Sequence, residues 1–189
     1  SIDIPENVNY IGKSAFANNQ LTEIALPESL TTIGETAFSN NKLSSISIPN
    51  NVIKIGGFAF ANNQISVVTI PDSVTEMEGS VFSNNPLKEI TLSAGINRIF
   101  EHSFSSGGGQ LEKVIIPNGV MEIGNYSFYS NQLKELTIPE SVKTIEHYAF
   151  ANNKLTQLEL PNSPITVDRG AFYNNELTNV VFPENIVLI

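Results

Sequence analysis

The sequence predicts a repeat solenoid, mainly β, with a parallel sheet along one side. Three observations carry this prediction. Proline recurs at a nearly constant spacing as Pro5, Pro27, Pro49, Pro71, Pro117, Pro139, Pro161 and Pro183, with Ser93 standing in for one member. Phenylalanine runs in register with it as Phe16, Phe38, Phe60, Phe82, Phe104, Phe128, Phe150 and Phe172, where only the step from Phe104 to Phe128 is longer, by two positions. Seven apolar positions recur in each unit, and in the first they are Val8, Ile11, Ala15, Phe16, Leu21, Ile24 and Leu26. A unit this short cannot bury seven apolar side chains alone, so neighbouring units must bury them by stacking.

The repeat divides the chain into eight units: 5–26, 27–48, 49–70, 71–92, 93–116, 117–138, 139–160 and 161–182. Partial units stand at 1–4 and 183–189, and the whole of 1–189 reads as one solenoid domain. Both ends stop inside a repeat without a polar cap, so the chain is expected to be part of a longer protein. Parallel strands stack about 4.8 Å apart, so eight coils would span roughly 40 Å.

Within a unit the elements follow in order. Val8-x-x-Ile11 is expected to be a short extended piece. Gly12, Gly34, Gly56 and Gly124 follow it and suggest a turn with unusual backbone angles. The Ala15-Phe16 pair is expected in a short helical or 3₁₀ turn, or in an irregular bend. Leu21-x-x-Ile24-x-Leu26 alternates at its end like a strand, and Pro27 ends it because proline cannot donate to a ladder.

Asparagine pairs follow the phenylalanines: Asn18-Asn19, Asn40-Asn41, Asn62-Asn63, Asn84-Asn85, Asn152-Asn153 and Asn174-Asn175. The sixth unit has Ser130-Asn131, so only the second column persists there. That column is expected to point inward, where an amide can satisfy backbone groups whose burial unpaired would cost about 1–3 kcal/mol. The first column is expected to hold left-handed backbone angles or face water. Thirteen of the 23 asparagines lie in these two columns.

Composition excludes several classes. The formal net charge is −9, from 10 Lys+Arg against 19 Asp+Glu. This disfavours nucleic acid and anionic membrane surfaces, which call for basic patches. The absence of cysteine excludes a disulfide framework and thiolate metal sites. No apolar run is long enough to cross a bilayer as a helix, so no membrane-spanning helix is predicted.

The pattern IPxxVxxIGxxAFxxNxLxxIxI resembles the BspA-like, or Treponema pallidum-type, leucine-rich repeat over the whole chain. Units of that family are commonly one residue longer than these, and they carry cysteine where Asn19, Asn41 and their equivalents stand. Here the position holds asparagine throughout. The resemblance implies a leucine-rich repeat solenoid with a parallel concave sheet and short extended or 3₁₀ segments on the convex side. It also implies a non-enzymatic, extracellular or cell-surface bacterial protein that binds other proteins. No ligand residues carry over from the family.

In such a solenoid the outward strand positions form the candidate binding face. We single out Glu23, Ser45, Val67, Thr69, Glu89, Thr91, Lys113, Ile115, Glu135, Thr137, Gln157 and Glu159. Varied residues on a repeated frame suit a protein partner, although this face lacks the aromatic anchors common at hot spots. The bland alternative is a solvated face on a structural spacer that displays another domain. A second candidate patch is aromatic: Phe58, Phe100, Tyr126, Tyr129, Tyr148 and Tyr173. Exposed aromatics on one side suit a protein or a glycan, and the competing reading is lateral cover over the turns.

Catalytic and metal-binding patterns are missing. His102 and His147 lie in adjacent columns two units apart, which is poor geometry for a shared metal. Only Asp3, Asp72 and Asp168 are aspartates, so no calcium loop of alternating aspartates exists. No G-x-S-x-G turn is present, and the expectation is a protein with neither enzymatic activity, metal nor cofactor. The fifth unit is irregular: it inserts Ser105-Ser106-Gly107-Gly108-Gly109 and lacks the lysine and helix that a phosphate loop needs.

Overall fold

The computed structural model describes residues 2–182 and 184. The expected partial unit at 183–189 lies outside the described residues except for Glu184. The described chain is a stack of short parallel ladders with no helix. Its strands are β1 (Tyr10–Ile11), β2 (Thr32–Ile33), β3 (Lys54–Ile55), β4 (Val67–Thr69), β5 (Glu76–Met77), β6 (Glu89–Thr91), β7 (Arg98–Ile99), β8 (Glu122–Ile123), β9 (Thr144–Ile145), β10 (Gln157–Glu159), β11 (Thr166–Val167) and β12 (Asn179–Val181).

All pairing is parallel and joins neighbouring coils in the register of the repeat. The Val-x-x-Ile segments form two four-stranded ladders, β1-β2-β3-β5 and β7-β8-β9-β11. The Leu-x-x-Ile-x-Leu segments pair less continuously, as β4-β6 and β10-β12, with a single bridge between Asp3 and Ala25. The more regular hydrogen-bonded sheet therefore lies on the Val-x-x-Ile side, opposite the segment expected to carry it.

The repeated apolar positions form one continuous core. Phe38, Phe60, Phe82, Phe104, Phe128 and Phe150 are fully buried and stack face to face along the axis. End coils are less covered, so Val8, Phe16, Leu21, Phe172 and Leu177 are only partly buried. The reason is that each coil is covered by its two neighbours, and a terminal coil has one.

The turn around each phenylalanine is neither helical nor 3₁₀. Two successive turns close it: the Ala15 N–H donates to Gly12 O and the Ala17 N–H to Ser14 O. Two positions adopt left-handed angles in every complete coil except the fifth, where only His102 does. One is the first asparagine column, with φ of 57°, 56°, 55°, 55°, 56° and 53° at Asn18, Asn40, Asn62, Asn84, Asn152 and Asn174. That agrees with the expectation for this column. The other column holds Ser14, Thr36, Phe58, Ser80, His102, Tyr126, Tyr148 and Gly170.

The glycine column is not the left-handed one, which corrects the expectation. Gly34 and Gly56 have no positive φ; a Cβ on either would meet the preceding coil's backbone at 2.7 and 2.5 Å. Glycine is needed there for close approach of two coils rather than for turn angles.

The second asparagine column points inward, as expected. The Asn63 side chain is buried; its Nδ2 donates to Phe38 O and Phe60 O, and its Oδ1 accepts from the Leu43 N–H, each at 3.0 Å. Asn41, Asn85, Asn131, Asn153 and Asn175 repeat this bridge. Each amide satisfies carbonyls of two successive turns and the first amide of the preceding strand segment.

Candidate binding surface

Alternation along the Leu-x-x-Ile-x-Leu segments turns every second side chain outward. β4, β6 and β10 therefore read exposed-buried-exposed. All twelve residues singled out on this face are exposed. The face is hollowed rather than flat. One groove has a volume of roughly 800 Å³ and is lined by Val67, Thr69, Glu89, Thr91, Lys113 and Ile115, with Lys88, Gln110, Glu112 and Gln132.

A second hollow of about 500 Å³ takes Glu135, Gln157 and Glu159 together with Val181. A third, of about 370 Å³, joins Lys113 and Ile115 to Glu135 and Thr137. Glu23 and Ser45 lie in the first two coils, outside these hollows. Gln110 and Gln132 were missed because their column directly follows the asparagine, where the sequence gives no sign of an outward role. Val181 is the last member of the column that contains Ile115 and lies on the same outward strand positions.

Ile115 lines the 800 Å³ groove. It is 73% exposed, more than any other large apolar side chain in the described chain. Val67, 48% exposed, lies on the opposite side of the same groove. The charges around them alternate in sign between columns: Lys88, Glu112 and Lys134 in one, Glu89, Lys113 and Glu135 in the next. Lys134 Nζ meets Glu112 Oε2 at 2.8 Å, and this contact holds the Glu112 carboxyl below the usual glutamate range. Among the described residues, Lys88, Glu89 and Lys113 have no oppositely charged partner within salt-bridge distance.

The Val-x-x-Ile face satisfies its charges internally. Lys54 bridges Glu76 and Glu78 at 3.5 and 3.0 Å, and Arg98 bridges Glu122 and Glu146 at 3.0 and 3.3 Å. The Glu78 carboxylate accepts from the Gly57 N–H, which, with Lys54, lowers its pKa. Hydrogen bonding with Glu146, helped by burial, raises the Glu122 carboxyl above the usual range despite Arg98.

The aromatic residues fall into two groups. Tyr126 stacks on Tyr148 at 5.2 Å, with Tyr129 edge-on to Tyr126 at 5.4 Å and Tyr173 edge-on to Tyr148 at 6.2 Å. His102, absent from the expected patch, extends this ladder by stacking on Tyr126 at 5.0 Å. Its column register with Phe58, Tyr126 and Tyr148 was the available signal. Phe58 and Phe100 lie apart; the Arg98 guanidinium sits 4.7 Å from the Phe100 ring centre. His102, Tyr126 and Tyr148 cover one another's ring faces, and Tyr148 also packs over Gly170, whereas Tyr173 stays 64% exposed.

Among the described residues no three His, Asp or Glu side chains gather to hold a metal, and no helix is long and apolar enough to cross a membrane.

This stack of registered coils with an inward polar ladder defines a leucine-rich repeat solenoid. The model for the BspA-type leucine-rich repeat region matches it over residues 1–109 and 99–189, in six copies, and the chain belongs to that family. Solved structures share the fold. A leucine-rich repeat protein from Bacteroides ovatus is 19% identical with a TM-score of 0.59, covering 99% of this chain and 73% of that one. The Treponema pallidum leucine-rich repeat protein is 20% identical with a TM-score of 0.54, covering 89% and 73%. The pneumococcal vaccine antigen PcpA is 20% identical with a TM-score of 0.52, covering 97% and 62%. No curated protein matches the chain.

Proposed function

We propose that this solenoid is a non-enzymatic protein-binding or adhesion module of a bacterial surface or secreted protein. The observation that carries the reading is the groove around Ile115, where an exposed aliphatic side chain sits with Lys88, Glu89 and Lys113, which have no salt-bridge partner among the described residues. A buried apolar anchor inside a polar rim is how compact protein contacts gain most of their affinity. The lysines Lys88 and Lys113 fit a partner segment that sets carboxylates beside one aliphatic side chain. Family membership supports an extracellular or cell-surface location. The acidic balance of the chain disfavours nucleic acid as the partner.

A glycan is the weaker ligand class. Sugar rings stack on open aromatic faces, and the rings of His102, Tyr126 and Tyr148 stack on one another, which leaves Tyr173 as the exposed ring of this group. A spacer that displays another domain is the reading that remains if no ligand is found.

A displayed random-peptide library, selected on the immobilised chain, tests the proposal. Selected peptides should set Asp or Glu beside Leu, Ile or Val, and Ile115→Arg should abolish their capture. Capture unchanged in both Ile115→Arg and Lys113→Glu would remove the groove as the binding surface.

A further inference from the structure

We propose that the solenoid is two rigid stacks, coils 1–4 and coils 5–8, joined by a compliant seam at the irregular fifth unit. Three features change at this one boundary. The Phe82 and Phe104 rings are 6.3 Å apart, whereas the other neighbouring pairs stand 5.2 to 5.6 Å apart. Strand pairing on the Val-x-x-Ile face is otherwise continuous and breaks only here: among the described residues β5 does not pair with β7.

The asparagine bridge is also interrupted. Leu21, Leu43, Ile65, Leu111, Leu133 and Leu155 each donate to an asparagine of the next coil. Leu87 has no such acceptor, because coil 5 carries no asparagine after its phenylalanine.

Backbone bonds from Ser80, Phe82 and Asn84 to the turn of coil 5 still cross the boundary. Ser93 Oγ also donates to Val74 O, and Asp72 Oδ1 accepts from the Ala94 N–H. The seam is thus held at its turns and open along its strands. Its cause lies in the sequence. Leu87 stands five positions after Phe82, whereas Leu111 stands seven after Phe104. The surplus falls at Gly107 and Gly108, where an added Cβ would meet nothing within 4 Å. Regions with few backbone bonds and few packed neighbours open first.

The groove lies across this seam, with Val67 and Glu89 on one stack and Lys113 and Ile115 on the other. Its width therefore follows the angle between the stacks. That last consequence rests on the groove being the binding surface; the seam itself does not.

Hydrogen exchange of the full chain, read by mass spectrometry without any ligand, tests the seam. Leu155→Ala should speed exchange in coils 5–8 by about tenfold or more and leave coils 1–4 within about twofold of the parent. Leu43→Ala should do the reverse. Either variant loosening all eight coils alike would overturn the proposal. A repaired chain, lacking Gly107 and Gly108 and carrying Gly109→Asn, regains the regular step. In it the effect of Leu155→Ala should spread into coils 1–4, and blocks that stay separate would overturn the role of the insertion. Because no ligand enters, failure here leaves the binding reading standing, and the Ile115→Arg result bears on the groove alone.

Discussion

Asn63 reaches back one coil to Phe38: its Nδ2 donates to the Phe38 carbonyl at 3.0 Å. The same amide returns to its own turn at Phe60 O and accepts from the Leu43 N–H. One neutral side chain thus satisfies buried backbone groups of two coils, without ion or thiol. Repeated in successive coils, it becomes a ladder that fixes the stacking register.

Asn63→Ala should cost about 1–3 kcal/mol, because it strands buried carbonyls and an N–H. Asn62 differs: it is exposed with φ 55°, so Asn62→Gly should cost under about 1 kcal/mol. Urea unfolding of both variants checks the pair. Equal losses would mean that the inward column does not carry the bridge.

Phe60→Ala should cost about 3–5 kcal/mol through the cavity it opens. The ring is fully buried between Phe38 and Phe82, with centres 5.4 and 5.3 Å away. A denaturation midpoint equal to the parent's would exclude it from the core.

Gly34→Ala should destabilise by about 1–3 kcal/mol through overpacking, since the new methyl has only backbone to push against. The obstacle is the Gly12 carbonyl carbon at 2.7 Å. Gly107→Ala, with nothing near its Cβ, should be close to neutral. Thermal unfolding of the two separates crowding between coils from a general intolerance of alanine.

Glu122→Gln should gain on the parent as pH rises. Hydrogen bonding to Glu146 raises the folded-state pKa of Glu122 above the unfolded value near about 4.3. The folded chain then binds more protons than the unfolded one, so this group's stability is present at low pH and lost as pH rises through the raised pKa. The variant lacks that loss. Its stability relative to the parent should therefore be higher at pH 7 than at pH 4. A difference between variant and parent that is flat with pH would contradict the raised Glu122 carboxyl.

Much of the fold was legible because its period was. Proline and phenylalanine registers placed every coil, and the lone Asn131 of the sixth unit separated the inward column from the outer one. The glycine column was misread, since a close contact and a left-handed turn both select glycine. Only the coordinates distinguish a 2.7 Å approach to the preceding coil from a positive φ. Phe58, Tyr126 and Tyr148 at left-handed angles were equally hidden, because bulky residues rarely adopt them. The candidate face was legible as a set of outward positions, but not which of them share a groove.

The sequence by itself determined the number of coils, their register, the phenylalanine stack and the inward amide ladder. These follow from which side chains recur at a fixed step, and a recurring step is a one-dimensional property. Tertiary structure decided which segment forms the continuous sheet, that Ile115 and Val67 face one groove, and that the groove lies over a break in the stack. The break goes with the two surplus residues of coil 5, and the others depend on how side chains pack in three dimensions. A spacing in the chain records that surplus, but only packing shows which contacts it opens.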